Sequence, residues 1–327
     1  MEPIDVVITW VNGDDPLHKA KRRAYTVDAH QTSFEDIGGE TRFRSVGEIA
    51  YCVASINKFA PYVRKIFIVT DNQDPQINDF IKNNYPDHIP MEIVSHDVLF
   101  RGYEQYLPVF NSLAIETMLW RIPGLSEQYI YMNDDVILVA PTCPETFFRE
   151  GKAVTYGYWH FTWTALLTRK IRKKKNQHKI FTFKDSMLNA VRRSGAGMRF
   201  HRIRHVAHPL LKSVFEDYYK QNPQDIIANI SHRFRDAVQY NPQALFYNVA
   251  IRRKKAVALP IGDKELYLKG REGDNDYVNA KLDLFEQKQG GIFCCVNSLD
   301  LMPREGRIKV VNWLRDRIGL KEYFSTL

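Results

Sequence analysis

Two adjacent carboxylates, Asp134 and Asp135, follow the apolar run Tyr129-Ile130-Tyr131-Met132 and Asn133, and Val136-Ile137-Leu138-Val139 comes directly after them. An ionised carboxylate is costly to bury unless it is paired or holds a metal. Two of them at a strand end suit a hard divalent cation, bound by one or two carboxylates and shared with substrate phosphates. The competing use of Asn-Asp-Asp is a tight turn, where these residue types are at home.

The elements around the triplet decide where it sits. Ile4–Val11 reads as a buried strand that ends in the turn signal Asn12-Gly13-Asp14-Asp15-Pro16. Val46–Phe59 carries apolar residues at helical spacing, with Pro61 stopping it. Lys65–Thr70 is a second strand, running into Asp71-Asn72. A polar helix near 76–84, a strand at 91–95, a helix over 109–120 and a strand at 128–132 complete the first half. Alternation of this kind predicts an open α/β sheet. Ligands of such sheets sit outside the carboxyl ends of the strands. Asp14/Asp15, Asp71 and Asp134/Asp135 all fall at predicted carboxyl ends, so three acidic strand ends converge on one expected crevice.

Residues 180–255 predict helices with few strands, clearest at 210–219 and 244–253, and 308–324 predicts a terminal helix that packs back on the core. The division expected is 1–160 as an α/β core and 161–327 as a helix-rich part completing the site.

The 327 residues, 44% hydrophobic, suffice for one large domain or two smaller ones. No apolar run approaches the roughly 20 residues a membrane span needs. The start of the chain lacks the pattern of a signal peptide. Cys52, Cys143, Cys294 and Cys295 lack metal-site spacing and read as reduced thiols, so a cytoplasmic protein is expected, peripheral at most to the inner face of the cell membrane. The net charge of +8 suits an anionic partner. Motifs of nucleic-acid readers are absent from the sequence, and no nucleic acid is expected. Seven Lys/Arg lie among the eleven residues 169–179, either as a solvated face or as a contact for anionic lipid or a polyanionic acceptor.

Several blocks resemble the Stealth family of sugar-1-phosphate transferases, which includes bacterial capsular polysaccharide phosphotransferases and the lysosomal-enzyme N-acetylglucosamine-1-phosphotransferase. The first block is Ile4 to Pro16. The second starts at Arg42-Phe43-Arg44-Ser45-Val46-Gly47-Glu48, runs through Ala60–Asp71, Leu107–Ser112 and Arg121–Ser126, and closes at Tyr131–Asp135. The third is His205-Val206-Ala207-His208-Pro209-Leu210 with Ser231-His232-Arg233-Phe234-Arg235. The fourth is Cys295-Val296-Asn297-Ser298-Leu299-Asp300. Ala207 replaces the proline of the family's His-x-Pro. Alignment through Leu210 to Val214 favours His205 as the matching histidine, with His208 as competitor. Ser298 replaces the family's Asp after Asn297, so no role passes to that position.

The resemblance implies an α/β fold with an open, mostly parallel sheet of glycosyltransferase-A or Rossmann-like type. It implies transfer of a hexose-1-phosphate or N-acetylhexosamine-1-phosphate from a UDP-sugar to a hydroxyl of an oligosaccharide or lipid-linked glycan, in capsular or cell-surface polysaccharide synthesis. A phosphodiester forms and UMP leaves. Phosphoryl transfer asks for positioning and charge neutralisation. Asp134 and Asp135 are the expected ligands of Mg2+ or Mn2+. Asp15 is expected to ligate the metal or orient the acceptor, His205 to act as general base, and Arg235 to clamp phosphate oxygens. Arg42, Arg44, Glu48, Asn111 and Asn297 are expected around the donor. The alternatives are a conventional UDP-sugar glycosyltransferase that releases UDP, and a non-catalytic glycan- or membrane-binding module.

Overall fold

The computed structural model describes residues 2–26, 46–175, 182–270, 274–288 and 290–322. Arg42 and Arg44 lie outside these residues, as does the end of the basic run at 176–179.

Four parallel strands form the floor of the molecule. They are β1 (Ile4–Thr9), β2 (Lys65–Thr70), β3 (Met91–Ser95) and β4 (Gln128–Asn133). Ile, Val, Phe and Tyr dominate β1, β2 and β4, which are buried nearly throughout, as parallel strands covered on both faces must be. The sheet runs β3-β2-β1-β4, and β9 (His208–Leu211) adds an antiparallel fifth strand beside β4. The chain builds outward from β1 through β2 and β3, then crosses back to place β4 on the other side. The strand order therefore reverses between β1 and β4, the position where open sheets of this kind leave a crevice. Register pairs Thr9 with Asn133 at that edge.

The amino end of the same sheet shows what a buried carboxylate needs. Asp5 in β1 is fully buried, and Arg64 grips it through two hydrogen bonds of 2.8 and 2.6 Å. The Ser126 N–H donates a third at 2.7 Å. Its charge is matched and its lone pairs are used.

Helices α1 (Pro16–Ala24), α2 (Glu48–Phe59), α3 (Asn78–Asn84), α4 (His96–Leu99) and α5 (Ser112–Met118) connect these strands. The helix expected over 109–120 begins only at Ser112. Asn111 caps it by accepting from Leu113 N–H at 3.1 Å, which leaves Val109 and Phe110 outside the helix. After β4 come β5 (Val136–Leu138), α6 (Pro144–Phe147), β6 (Phe148–Arg149), β7 (Lys152–Phe161) and α7 (Thr162–Lys175).

The second half holds more strand than its sequence pattern suggests. It runs α8 (Phe183–Arg193), β8 (Arg199–Ile203), β9, α9 (Lys212–Gln221), α10 (Pro223–Ile230), α11 (Pro242–Arg252), β10 (Ala256–Pro260), β11 (Glu265–Lys269), α12 (Asn275–Glu286), β12 (Phe293–Asn297) and α13 (Arg304–Ile318). Two small sheets collect these strands: β10-β7-β6 with β8 against β7, and β11-β12-β5. Gly157 is required where β8 crosses, because a Cβ there would lie 2.1 Å from the Arg202 carbonyl oxygen. Elements from both sides of residue 160 share sheets and one continuous buried core, through β9 on β4, β12 on β5 and β10 on β7. The terminal helix α13 stops at Gly319, whose positive φ of 78° ends it short of the sequence expectation.

Candidate active site

β4 delivers Asn133 to the edge of the sheet, and the chain turns through Asp134 and Asp135 into β5. That turn sends the two carboxylates to different neighbours. Asp135 faces β12 and the segment before β9. Its backbone carbonyl accepts from Val296 N–H at 2.9 Å, and its Oδ2 accepts from the Cys295 thiol at 3.6 Å. Its Oδ1 lies 3.6 Å from Nε2 of His205. Asp134 lies toward the start of α2. Burial first, then the charges of Asp135 and Glu48, push its carboxyl well above the usual range. Glu48 itself turns back to accept from Val46 N–H at 2.7 Å.

His205 stands at the centre of the cluster. Rings of Phe183 and Tyr267 meet it edge-on, both with centroids 6.4 Å away. Asn133 Nδ2 approaches its Nε2 at 3.4 Å. Burial pulls the imidazole down, but Asp135, Glu116 and Glu265 outweigh it and hold the group above its ordinary value. His208, three residues on, is a core histidine. It is buried, stacks on Tyr131, packs against Tyr247, and is pushed down to about 3 by burial. Geometry thus resolves the two histidines: His205 is the one at the carboxylates.

A polar chain extends the site under β1 and β4. The Tyr131 hydroxyl lies 2.5 Å from Asn133 Oδ1, 3.1 Å from Glu116 Oε1 and 3.0 Å from Thr9 Oγ1. Burial raises the Glu116 carboxyl, against the opposing pull of Arg235. Arg235 donates to Ser112 Oγ at 3.0 Å, at the start of α5. Arg235, Glu116, Asn133, His205 and Asp135 therefore form one connected group.

The remaining expected residues fall elsewhere or act as scaffold. Asp15 caps α1, accepting from Leu17 N–H at 2.8 Å with one oxygen and from Gln73 Nε2 at 2.8 Å with the other. Those bonds, Gln73 first, lower its carboxyl. The geometry gives it a capping role, and both oxygens are already engaged. Asn111 is 1% exposed and spends its amide on the carbonyls of His232 and Phe234 and on Gln239 Oε1, so it fixes the loop that carries Arg235 and has no edge left for a ligand. Asn297 lies two residues beyond Cys295, on the same face of β12. Asp71 pairs with Lys21 at 2.8 Å rather than with the other acidic strand ends.

Four members of the cluster escaped the sequence pattern: Cys295, Glu116, Tyr267 and Phe183. The cysteine spacing predicts reduced thiols and no metal site, yet Asp135, His205 and Cys295 each offer a ligand atom within 4.8 Å of one another. The only sequence sign was the position of Cys295 two residues before Asn297. Glu116 lies beside Thr117 and among the apolar residues of α5, and nothing in its spacing marks it.

Fold and cluster together define an α/β protein with a carboxylate–imidazole site at the switch point of a mostly parallel sheet. The pattern described as Stealth protein CR1, conserved region 1, matches residues 2–26, and that described as Stealth protein CR2, conserved region 2, matches residues 42–155. A receptor polysaccharide phosphotransferase WefC of Streptococcus gordonii is 32% identical over 258 residues, which cover 72% of this chain and 74% of that protein. The capsular polysaccharide phosphotransferase fcs1 of Haemophilus influenzae is 34% identical, over 71% of this chain and 61% of its own length. An exopolysaccharide phosphotransferase of Streptomyces coelicolor is 32% identical over 72% of this chain, which spans only 37% of that relative. The chain belongs to the Stealth family. Among solved structures, the galactosyltransferase LgtC in complex with donor and acceptor sugar analogs superposes over 98% of both chains at 7% identity with a TM-score of 0.48, a likeness too distant to bear on the reaction.

Proposed function

We propose that this protein transfers a sugar-1-phosphate from a nucleotide sugar, of the UDP-sugar class, to a hydroxyl of a glycan acceptor in polysaccharide synthesis. The observation that carries the reading is the juxtaposition of His205 and Asp135 at the β1/β4 switch point, in a chain of this family. In its neutral form, which its raised proton affinity makes the stronger base, the His205 imidazole takes the proton of the acceptor hydroxyl. The acceptor oxygen forms a bond to the sugar-bearing phosphorus, the bridging P–O bond of the diphosphate breaks, and the nucleoside monophosphate leaves with the electron pair. Arg235 faces the phosphate oxygens and Glu116 sets its direction. Asn133, fixed by Tyr131, orients the His205 ring.

The residues present fit a divalent cation. Asp135 offers an oxygen donor within 4.8 Å of a His205 ring nitrogen and the Cys295 sulfur, and Asp134, the adjacent carboxylate, lies toward Glu48 with its charge uncompensated among the described residues. Cys295 directs its thiol hydrogen to Asp135 Oδ2, which keeps it a neutral neighbour and leaves the donor set hard enough for Mg2+ or Mn2+. A cation held at Asp135, with Asp134 as the second carboxylate, would supply charge neutralisation to the diphosphate.

The test is to incubate the protein with a panel of UDP-sugars, an oligosaccharide acceptor and Mg2+ or Mn2+, then identify the nucleotide released. UMP together with a phosphodiester signal in phosphorus NMR is expected. UDP without that signal overturns the reading in favour of sugar transfer at carbon.

A further inference from the structure

From Gly151 through Lys184 the sequence has nine Lys or Arg and not one Asp or Glu. The structure adds a second property to the same stretch. β7 is buried through Gly157, but its outer end exposes Tyr158, Trp159 and Phe161. The chain enters α7 at the next residue, and α7 exposes Trp163, Leu167 and Ile171, with Trp163 at 64% and the other two at 52%. A recurrence of four places these three on one face of the helix. The helix holds the rest of the molecule from its opposite side, where Arg169 pairs with Asp185 at 3.0 Å and reaches Asn189 at 3.2 Å. The apolar stripe is thus turned outward on a helix whose orientation is fixed by an inward ion pair.

Soluble surfaces expose single apolar side chains freely, but six large ones from consecutive elements mark an interaction face. We propose that the outer end of β7 and the stripe on α7 form a docking face for an anionic lipid bilayer. The occupant follows from charge. The sequence of α7 closes on Arg172-Lys173-Lys174-Lys175, Lys170 is exposed on it, and Arg199 lies 4.8 Å above the Phe161 ring. Trp, Leu and Ile beside Lys and Arg on one helix are the composition of an interfacial helix. A second copy of this chain is disfavoured by the same charges, because a two-fold contact sets the basic run against itself. The helix also carries no carboxylate, the acceptor that sugar-binding sites use for hydroxyl groups. Phe183, exposed at the start of α8, meets His205 edge-on. The proposal is independent of which nucleotide leaves.

The test uses the full chain and extruded vesicles, phosphatidylcholine alone or with phosphatidylglycerol, in a sedimentation assay. Binding to the anionic vesicles is expected, with weak or no binding to the neutral ones and a steep loss with added salt. Replacing Arg172, Lys173, Lys174 and Lys175 by Gln is expected to weaken binding by more than about a hundredfold, at roughly fivefold per charge. The triple change Trp163→Glu, Leu167→Glu, Ile171→Glu is expected to abolish binding while nucleotide release with a soluble acceptor and the melting temperature hold. Those side chains are exposed, so a folding defect is not the expected cause. Equal binding to neutral and anionic vesicles, no binding to either, or a dimer that the triple change converts to monomer overturns the proposal. Capture of a soluble polysaccharide in place of vesicles overturns it as well.

Discussion

Two acidic groups occupy the same edge of the parallel sheet and have opposite electrostatics. At the ends of β1 and β2, Asp14 pairs with Lys19 at 2.7 Å, Asp71 pairs with Lys21 at 2.8 Å, and Asp15 caps a helix. At the end of β4, burial and the charges of Asp135 and Glu48 raise the cost of the Asp134 carboxylate, and a histidine stands beside Asp135. Residue types and topological position are alike in the two groups. What differs is whether the surrounding chain already balances the charge. The first group is complete without a ligand. On the proposed chemistry the second is the one a cation and a diphosphate would complete, and Asp5 with its Arg64 partner shows that this protein balances a buried carboxylate where no ligand is needed.

The sharpest break of that contrast is Asp135→Asn. It removes the carboxylate that touches His205 and Cys295 and, on the proposed chemistry, lowers kcat by several orders of magnitude. Folding should persist, because Asn can still accept from the Cys295 thiol. Unchanged turnover would place the reaction elsewhere. His205→Gln comes next. Loss of a general base costs typically about 100- to 10,000-fold, and it should appear in kcat with little change in KM for the donor.

Sequence patterning made the parallel sheet legible because strand, helix and turn signals are local there. The β4 triplet was visible for the same reason: two carboxylates after an apolar run. What stayed hidden depends on distant pairings. β9, β10 and β12 are short strands that each pair with a strand more than 70 residues away in the chain, and Arg199-Phe200-His201-Arg202-Ile203 carries too much charge to read as a strand until β7 supplies its partner. Cys295 reached the site only through β12 pairing with β5. Asp15 shows the reverse: its neighbour Pro16 is a helix-start signal. An acidic residue before a proline at the first helical position is explained by capping alone.

The two histidines extend the contrast to pH. His208 is held down to about 3 by burial, far below the unfolded value near 6.5. The unfolded chain gains a proton below that value and the folded one does not, so stability falls as pH drops through 6.5 toward 3. The loss attributable to this one residue between pH 7.5 and pH 5 is about 2 kcal/mol. His208→Asn should flatten that part of the stability curve, measured by denaturant unfolding at each pH. A slope identical to that of the parent protein would mean the ring is hydrated in solution.

The smallest effect probes the balanced group directly. Asp15→Ala removes a helix cap whose typical worth is about 1 kcal/mol, and it frees Gln73 from one partner. The stability to unfolding should drop by that amount, and turnover should change by no more than a few-fold. Asp15→Asn keeps an acceptor for the Leu17 N–H and should recover most of the stability, since Asn caps as well as Asp. A loss of turnover in both variants, with stability restored only in the second, would show that the charge of Asp15 is used in the reaction. The acidic strand ends would then work as one group, and the division drawn between them at β1 and β4 would fall.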